Sequence, residues 1–352
     1  MELLTISDIK RAAAAGRVEA RLHAQVDAVA LKQTREGKPY YELTLADAAG
    51  RLSLKAWNDS LNFNICEALR KGDFVEIEGE FLQHPAFGLD ARRWESRPLL
   101  QEETALLLEG PPALREKQAR DYANIGKLLD SLQDPRLHGV CQLFLAEFGD
   151  RFRRAAAART YHHARRGGLV EHVAQMMRLA ESVAAIYPAL NRDLLLAGTF
   201  FHDVGKLWEN CPEPNGFGIP YDERGELIGH ITIGIEMFNA LWRKLLCGEE
   251  AQEWREITPS NEDVRNHLIH MIAAHHGEMA FGSPVFPKTP EAYALHFIDN
   301  LDAKLEMVFN AYGSGNPLAE RITERVRPLS ANLVKPLAKY PASAEVEGAD
   351  PF

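Results

Sequence analysis

The sequence predicts two unlike halves, a small all-β barrel followed by an all-α domain. Three observations predict this. Apolar and polar residues alternate in short runs between Val18 and Trp94, apolar residues recur at three- and four-residue spacing from Ala113 almost to Val326, and ten of the 13 histidines fall between His162 and His296. A length of 352 residues suits two domains better than one small module. With 46% hydrophobic and 26% charged residues, the chain has an ordinary globular balance and can bury a sizeable core.

The barrel elements follow in order. Val18 to Leu31 reads as a strand closed by the turn TREGKP; Tyr40 to Ala46 alternates, residues 47–50 turn, and Arg51 to Trp57 alternates again. Residues 58–70 suit a short helix, Phe74 to Leu82 is a fourth strand, and a turn at 84–87 leads into a fifth, Leu89 to Trp94. Three strands, a helix and two strands is the order of an OB-fold, so residues 1–98 are assigned to an OB-like barrel. Such barrels stack single-stranded bases on exposed aromatics over a positive groove. Tyr41 and Trp57 are the chosen platforms among Tyr40, Tyr41, Trp57, Phe87 and Trp94, with Lys38, Arg92, Arg93 and Arg97 as phosphate contacts. Residues 1–100 nevertheless carry 14 Lys+Arg against 15 Asp+Glu, which is weak electrostatic support.

Residues 99–150 are read as a linker and helical connector, with Pro111-Pro112 stopping any regular element. Residues 151–328 form the helical domain, broken by a glycine-punctuated hairpin or loop from Gly216 to Gly229. Residues 329–352 are a weakly packed tail.

Within the helical half, His172, His202-Asp203, His230, His275-His276 and Asp299 form an ordered set. Imidazoles with carboxylates suit first-row transition metals better than calcium or magnesium alone. Seven such side chains exceed the need of one four-coordinate ion and suffice for two ions sharing a carboxylate. A pair of ions about 3.5–4 Å apart is the usual clamp for in-line displacement at phosphorus. Neighbours on a helix project about 100° apart, so His202-Asp203 and His275-His276 can each serve one cluster only from a helix end or by splitting between metals.

This order resembles the HD-domain superfamily of metal-dependent phosphohydrolases, over roughly Phe152 to Phe309. The resemblance implies an all-α fold in which His172, His202, Asp203 and Asp299 hold one ion. Asp203 then bridges to a second ion completed by His230, His275 and His276. No GYP tripeptide accompanies the HHGE segment, so the HD-GYP subfamily is not indicated. Lys206 matches the lysine of the family's HDxGK segment and implies a point charge on a phosphate oxygen, giving Asp203 and Lys206 as catalytic residues. Together with the barrel, the segments YHHARRGGLVEH, LAGTFFHDVGK, GELIGHI, HHGEMAFGSPVFPKTPEA and LHFIDNLDAK resemble the bacterial YhaM-type 3′-5′ exoribonucleases. That implies two divalent transition-metal ions, manganese ahead of cobalt, iron, nickel or zinc, and single-stranded RNA or DNA as partner, cut to nucleoside 5′-monophosphates by an activated water. The rival reading is an HD-domain hydrolase of small cyclic or linear nucleotides with a regulatory barrel.

Six arginines and no acidic residue lie between Arg151 and Arg166, just before the first ligand. They are read as either a basic lip for a polyanionic strand or a solvated helix face. Arg165, Arg166, His162 and His163 are the substrate-binding candidates there, with the histidines alternatively buttressing the metal shell. The net charge of −10 excludes a bulk basic coat. Apolar stretches such as 194–201 fall short of the roughly 20 residues of a membrane span, and no secretory signal is evident, so no membrane partner is expected. Four scattered cysteines without a CxxC pair suit unpaired thiols in a reducing cytoplasm. Homo-oligomerisation is left open.

Overall fold

A computed structural model describes residues 1–34, 36–84, 88–159 and 163–338. The barrel opens with β1 (Glu2–Leu3) and a helix that the strand reading did not include, α1 (Ile6–Ala15). Its signal is local: Thr5 and Asp8 cap each other's backbone amides, and Ile6, Ile9 and Ala13 bury one face. Then come β2 (Val18–Gln33), β3 (Pro39–Asp47), β4 (Gly50–Trp57), α2 (Leu61–Ala68), β5 (Phe74–His84) and β6 (Gly88–Pro98). The hydrogen-bonded order is β4-β3-β2-β5-β6, with β1 parallel to the start of β2.

The long β2 serves both halves of the barrel. Residues 18–25 pair with β5, and from Gln25 onward the strand runs along β3, with a register shift between Val26 and Ala28. A central first strand flanked by the second and fourth, with a helix after the third, is the OB arrangement. Alternation sends Leu22, Leu43, Leu54, Ile77 and Trp94 inward to a common core. Trp94, one of the five aromatics considered, is therefore a core residue, 1% exposed. Tyr41 also belongs to the inner side: it pairs with Ala56 and packs on Phe63 with ring centroids 4.8 Å apart.

The connector opens with α3 (Gln101–Glu109), and Gly110 at φ +79° ends it. Pro112 then starts α4 (Pro112–Asp130) at a position where a missing amide costs nothing. The domain continues through α5 (Pro135–Arg154), α6 (Gly168–Ile186), α7 (Arg192–Phe201), α8 (Lys206–Glu209), α9 (Glu223–Leu246), α10 (Asn261–Ala274) and α11 (Pro290–Ser314). Of the expected 216–229 loop, the last part is the first turns of α9, which kinks at Gly229 (φ 69°). Helix also ends earlier than Val326: β7 (Pro317–Ala319), β8 (Ile322–Thr323) and β9 (Leu333–Val334) form a small sheet after Ser314. Residues 339–352 lie outside the described residues.

Phe144, Phe200 and Phe201 meet edge to face, 5.2 to 5.6 Å apart, at the centre of the helical core. Among the described residues, no helix is long and apolar enough to cross a membrane, and all four cysteines are free thiols.

Asp47 ties α1 to the barrel. It accepts from the Ile6 amide at 2.7 Å and from the Ala49 and Gly50 amides at 2.8 Å. Burial pushes its carboxyl up to about 6, against the pull of those amides and of Lys10. The folded chain thus holds this proton more tightly than the unfolded chain, whose ordinary value is 3.8. The Asp47 contribution is greatest below about pH 4, falls as pH rises through about 6 and is flat above, a change of about 3 kcal/mol. In Asp47→Asn this slope should vanish, so the variant should gain on the wild type by that amount between about pH 4 and 7 in urea unfolding. Parallel stability curves would refute it.

Candidate metal centre

Helix ends position the paired ligands. His202 caps the C-terminus of α7 and Asp203 follows it; His275 caps α10 and His276 follows. Both dipeptides therefore leave the helical repeat where they are needed. The turn after Asp203 depends on Gly205, because a Cβ there would lie 1.9 Å from the His230 carbonyl oxygen. Gly168, at the start of α6, is similarly pressed: a Cβ would lie 2.0 Å from the His163 carbonyl oxygen. His172 is one turn further along that helix.

All seven expected ligands converge. His172 Nε2 lies 3.3 Å from His202 Nε2, 3.4 Å from Asp299 Oδ1 and 3.6 Å from Asp203 Oδ2. The other Asp203 oxygen, Oδ1, lies 3.6 Å from both His230 Nε2 and His275 Nε2. The His276 ring is 4.3 Å from that of His275 and 5.2 Å from that of His230. Two groups result, His172, His202 and Asp203 on one side and His230, His275 and His276 on the other, each with donor atoms within 4.8 Å. Asp203 stands between them.

Every imidazole is oriented by its far nitrogen. Nδ1 of His202, His275 and His276 donates to the carbonyls of Thr199, Ile272 and Phe281 at 2.7, 2.8 and 2.7 Å. Nδ1 of His172 meets Asp302 at 2.7 Å, and that of His230 meets Glu209 at 3.1 Å. A proton at Nδ1 leaves the Nε2 lone pair aimed inward. Asp203 Oδ1, His230 Nε2 and His275 Nε2 are buried there with no hydrogen-bond partner among the described residues. Each such orphan costs about 1–3 kcal/mol. Three acceptors turned on one another, with no hydrogen-bond donor among them, are the donor set a cation requires.

Charge runs the same way. Burial pushes the Asp203 carboxyl up, but Lys206, His202 and His230 outweigh it and hold it well below the usual carboxylate range. Burial and neighbouring rings keep His275 and His276 low, hence neutral. Burial also draws His172 down, yet Asp299 and Asp302 lift it to about 10, so its proton is the competitor any cation must displace. His172, His202 and His275 are wholly buried, whereas His230 and Asp299 keep 15% and 17% of their side chains exposed. The centre thus opens on the His230, His276 and Asp299 side.

The remaining candidates divide. Lys206 Nζ donates to Asp203 Oδ2 at 2.6 Å and is buried, so it is no solvated helix cap. His163 is buried against Asp302 at 3.2 Å, beneath the His172 ring, and so buttresses the shell. His162 and Phe87 lie outside the described residues. Arg165 and Arg166 are engaged within the fold. Arg165 is a fork on buried Glu171, at 3.0 and 2.6 Å, joined by Lys117 and Gln118. Arg166 gathers the carbonyls of Glu213, Pro214 and Gly216. Arg97 is clamped by Glu76 and Glu103. Trp57 instead pairs with Tyr40 across β3 and β4, rings 5.0 Å apart, with Lys55 Nζ about 6 Å from both.

Asp302 and Glu209 were not among the sequence-derived candidates. Their only signal was spacing, three residues beyond Asp299 and Lys206. Loss of a carboxylate that orients a ligand imidazole costs about 10–100-fold in metal affinity. Asp302→Ala should weaken the His172 side by that factor and Glu209→Ala the His230 side, read as one altered step in a manganese titration. Unchanged titrations would exclude the orienting role.

Comparison with known proteins agrees with this geometry. The family described as HD domain matches residues 169–304. The chain is 31% identical over 309 residues to the 3′-5′ exoribonuclease YhaM of Geobacillus sp. (strain WCH70), covering 86% of this chain and 87% of that one. It is 30% identical to that of Bacillus subtilis (strain 168), over 83% of each chain, and 32% identical to that of Listeria innocua, over 77% of this chain and 81% of that one.

Proposed function

The chain belongs to the YhaM family of 3′-5′ exoribonucleases, and we propose that it shortens single-stranded RNA, and secondarily single-stranded DNA, to nucleoside 5′-monophosphates in a reducing cytoplasm. The observation that carries this reading is the trio of buried acceptors at Asp203 Oδ1, His230 Nε2 and His275 Nε2, unpartnered among the described residues. His172, His202, Asp203 and Asp299 would hold one divalent ion, and Asp203, His230, His275 and His276 a second. Mixed imidazole and carboxylate donors favour a first-row transition metal, manganese foremost. When bound, such a pair activates a water and neutralises charge at phosphorus. The hydrolase of small nucleotides is not favoured, because the relatives that cover most of this chain are named exoribonucleases.

The chain's own residues do the rest. Asp203 turns one oxygen to each group, while Asp302 and Glu209 fix the rings facing it. Lys206, held on Asp203, keeps a positive charge at the centre that would steady a phosphate oxygen. The buried flank excludes water, and the open flank admits the strand end. On the barrel, Tyr40 and Trp57 with Lys55 offer one stacking platform and one cation, the pairing that holds single strands.

Elemental analysis of untreated protein, with a metal-restored assay on end-labelled RNA, tests the reading. A 3′ label should appear at once as mononucleotide, while a 5′ label should give a ladder shortening step by step, and chelation should stop both. Internal fragments, or early release of the 5′ label, would contradict it. Asp203→Ala should lose both metals and at least 10³-fold in turnover. Trp57→Ala should keep its metal and turnover but raise KM for a 20-nucleotide RNA about tenfold.

A further inference from the structure

The loop between α8 and α9 joins the two domains. At its tip Phe217 is 3% exposed, packed on Ala46 and Ala48 of the barrel and against Phe74, Leu107, Leu108 and Leu114. Its amide donates to Gln25 Oε1 at 2.7 Å, and its carbonyl accepts from Arg51 at 3.2 Å. Arg51 is itself fixed by Asp27 at 3.0 Å and reaches the Arg159 carbonyl at 3.5 Å. The approach is tight: a Cβ on Gly216 or Gly218 would fall 2.9 Å from Gln25 or 2.8 Å from Asp27 side-chain oxygens.

The far end of the loop is tied to the metal centre. Arg159 donates to the carbonyls of Glu209, Ile219 and Pro220 at 2.7, 3.0 and 2.8 Å. Glu209 is the residue whose carboxylate holds both the amide and the ring of His230. A hydrogen-bonded path therefore runs from Gln25, Asp27 and Arg51 on the barrel to a candidate metal ligand. A buried aromatic plug with a satisfied backbone on both sides has one seated arrangement.

We propose that Phe217 is a positioning residue that locks the barrel at one distance and angle from the metal centre, so that a strand long enough to touch both is bound more tightly than a short one. The proposal rests on the exoribonuclease reading. Two sites on one strand reinforce each other only when their separation matches the strand between them, because the second contact depends on effective concentration. A barrel that swings loses that gain without disturbing the chemistry. Phe217 and Arg51 touch neither the ligands nor the Tyr40–Trp57 platform, and Arg51 meets the Arg159 segment only through a backbone carbonyl at 3.5 Å, so their effect should appear in KM for long strands.

The test uses the full chain and compares wild type, Phe217→Ala and Phe217→Leu. Manganese content, turnover of bis(p-nitrophenyl) phosphate, and kcat and KM on 20-nucleotide and 4-nucleotide RNA are measured. In Phe217→Ala, metal content and small-ester turnover should stay within about twofold of wild type. KM for the 20-mer should rise about tenfold, KM for the 4-mer should not change, and Phe217→Leu should restore most of the difference. If Phe217→Ala fails to fold, Arg51→Ala, which removes the bond to the Phe217 carbonyl, must give the same split. The proposal fails if both KM values move together, or if neither moves. A wild-type protein that leaves both RNAs intact would instead overturn the exoribonuclease reading.

Discussion

One carboxylate organises this molecule. Asp203 is carried into a pocket where imidazole rings approach from both sides, and each of its oxygens serves a different side. An isolated buried carboxylate would take up a proton. Here Lys206 and the surrounding rings keep it charged, and the price is an assembly of inward-facing acceptors that no donor among the described residues satisfies. A divalent cation on each side, as proposed, would supply the positive charge that this arrangement calls for.

Much of the helical domain exists to hold that geometry. Both ligand dipeptides sit at helix C-termini, where Nδ1 can take the last free carbonyls and so fix the tautomer at no further cost. Glycine appears where two backbones must touch, at Gly168 against His163 and at Gly205 against His230. The arginine-rich segment ahead of α6 belongs to the same frame. Its head groups grip Glu171 and the carbonyls of the 209–220 segment, and that grip places His172, Glu209 and the interdomain loop together.

What could be read beforehand reflects how local each feature is. The OB order was legible because alternation is a two-residue signal, and the ligands because seven donors in one order have few other uses. α1 was missed although its Thr5–Asp8 cap is local, since strand-like runs dominated the reading around it. Whether Tyr41 or Trp94 faces the core could not be read beforehand, because exposure depends on which face a strand buries, and an aromatic suits either. Arg165 and Arg166 misled for a related reason: composition shows the charge, but Glu171 and the carbonyls that engage it are distant in space or unmarked in sequence. Asp302 and Glu209 were illegible as orienting groups, because that role exists only once the rings they hold are in place.

The central claim is that a single aspartate joins two cation sites. It is tested most directly by crystals grown with manganese and measured at the metal's absorption edge. Two anomalous peaks should appear, one on each oxygen of Asp203, about 3.5–4 Å apart. One should be completed by His172, His202 and Asp299, the other by His230, His275 and His276. A single peak, or two peaks that leave either Asp203 oxygen uncoordinated, would contradict the account.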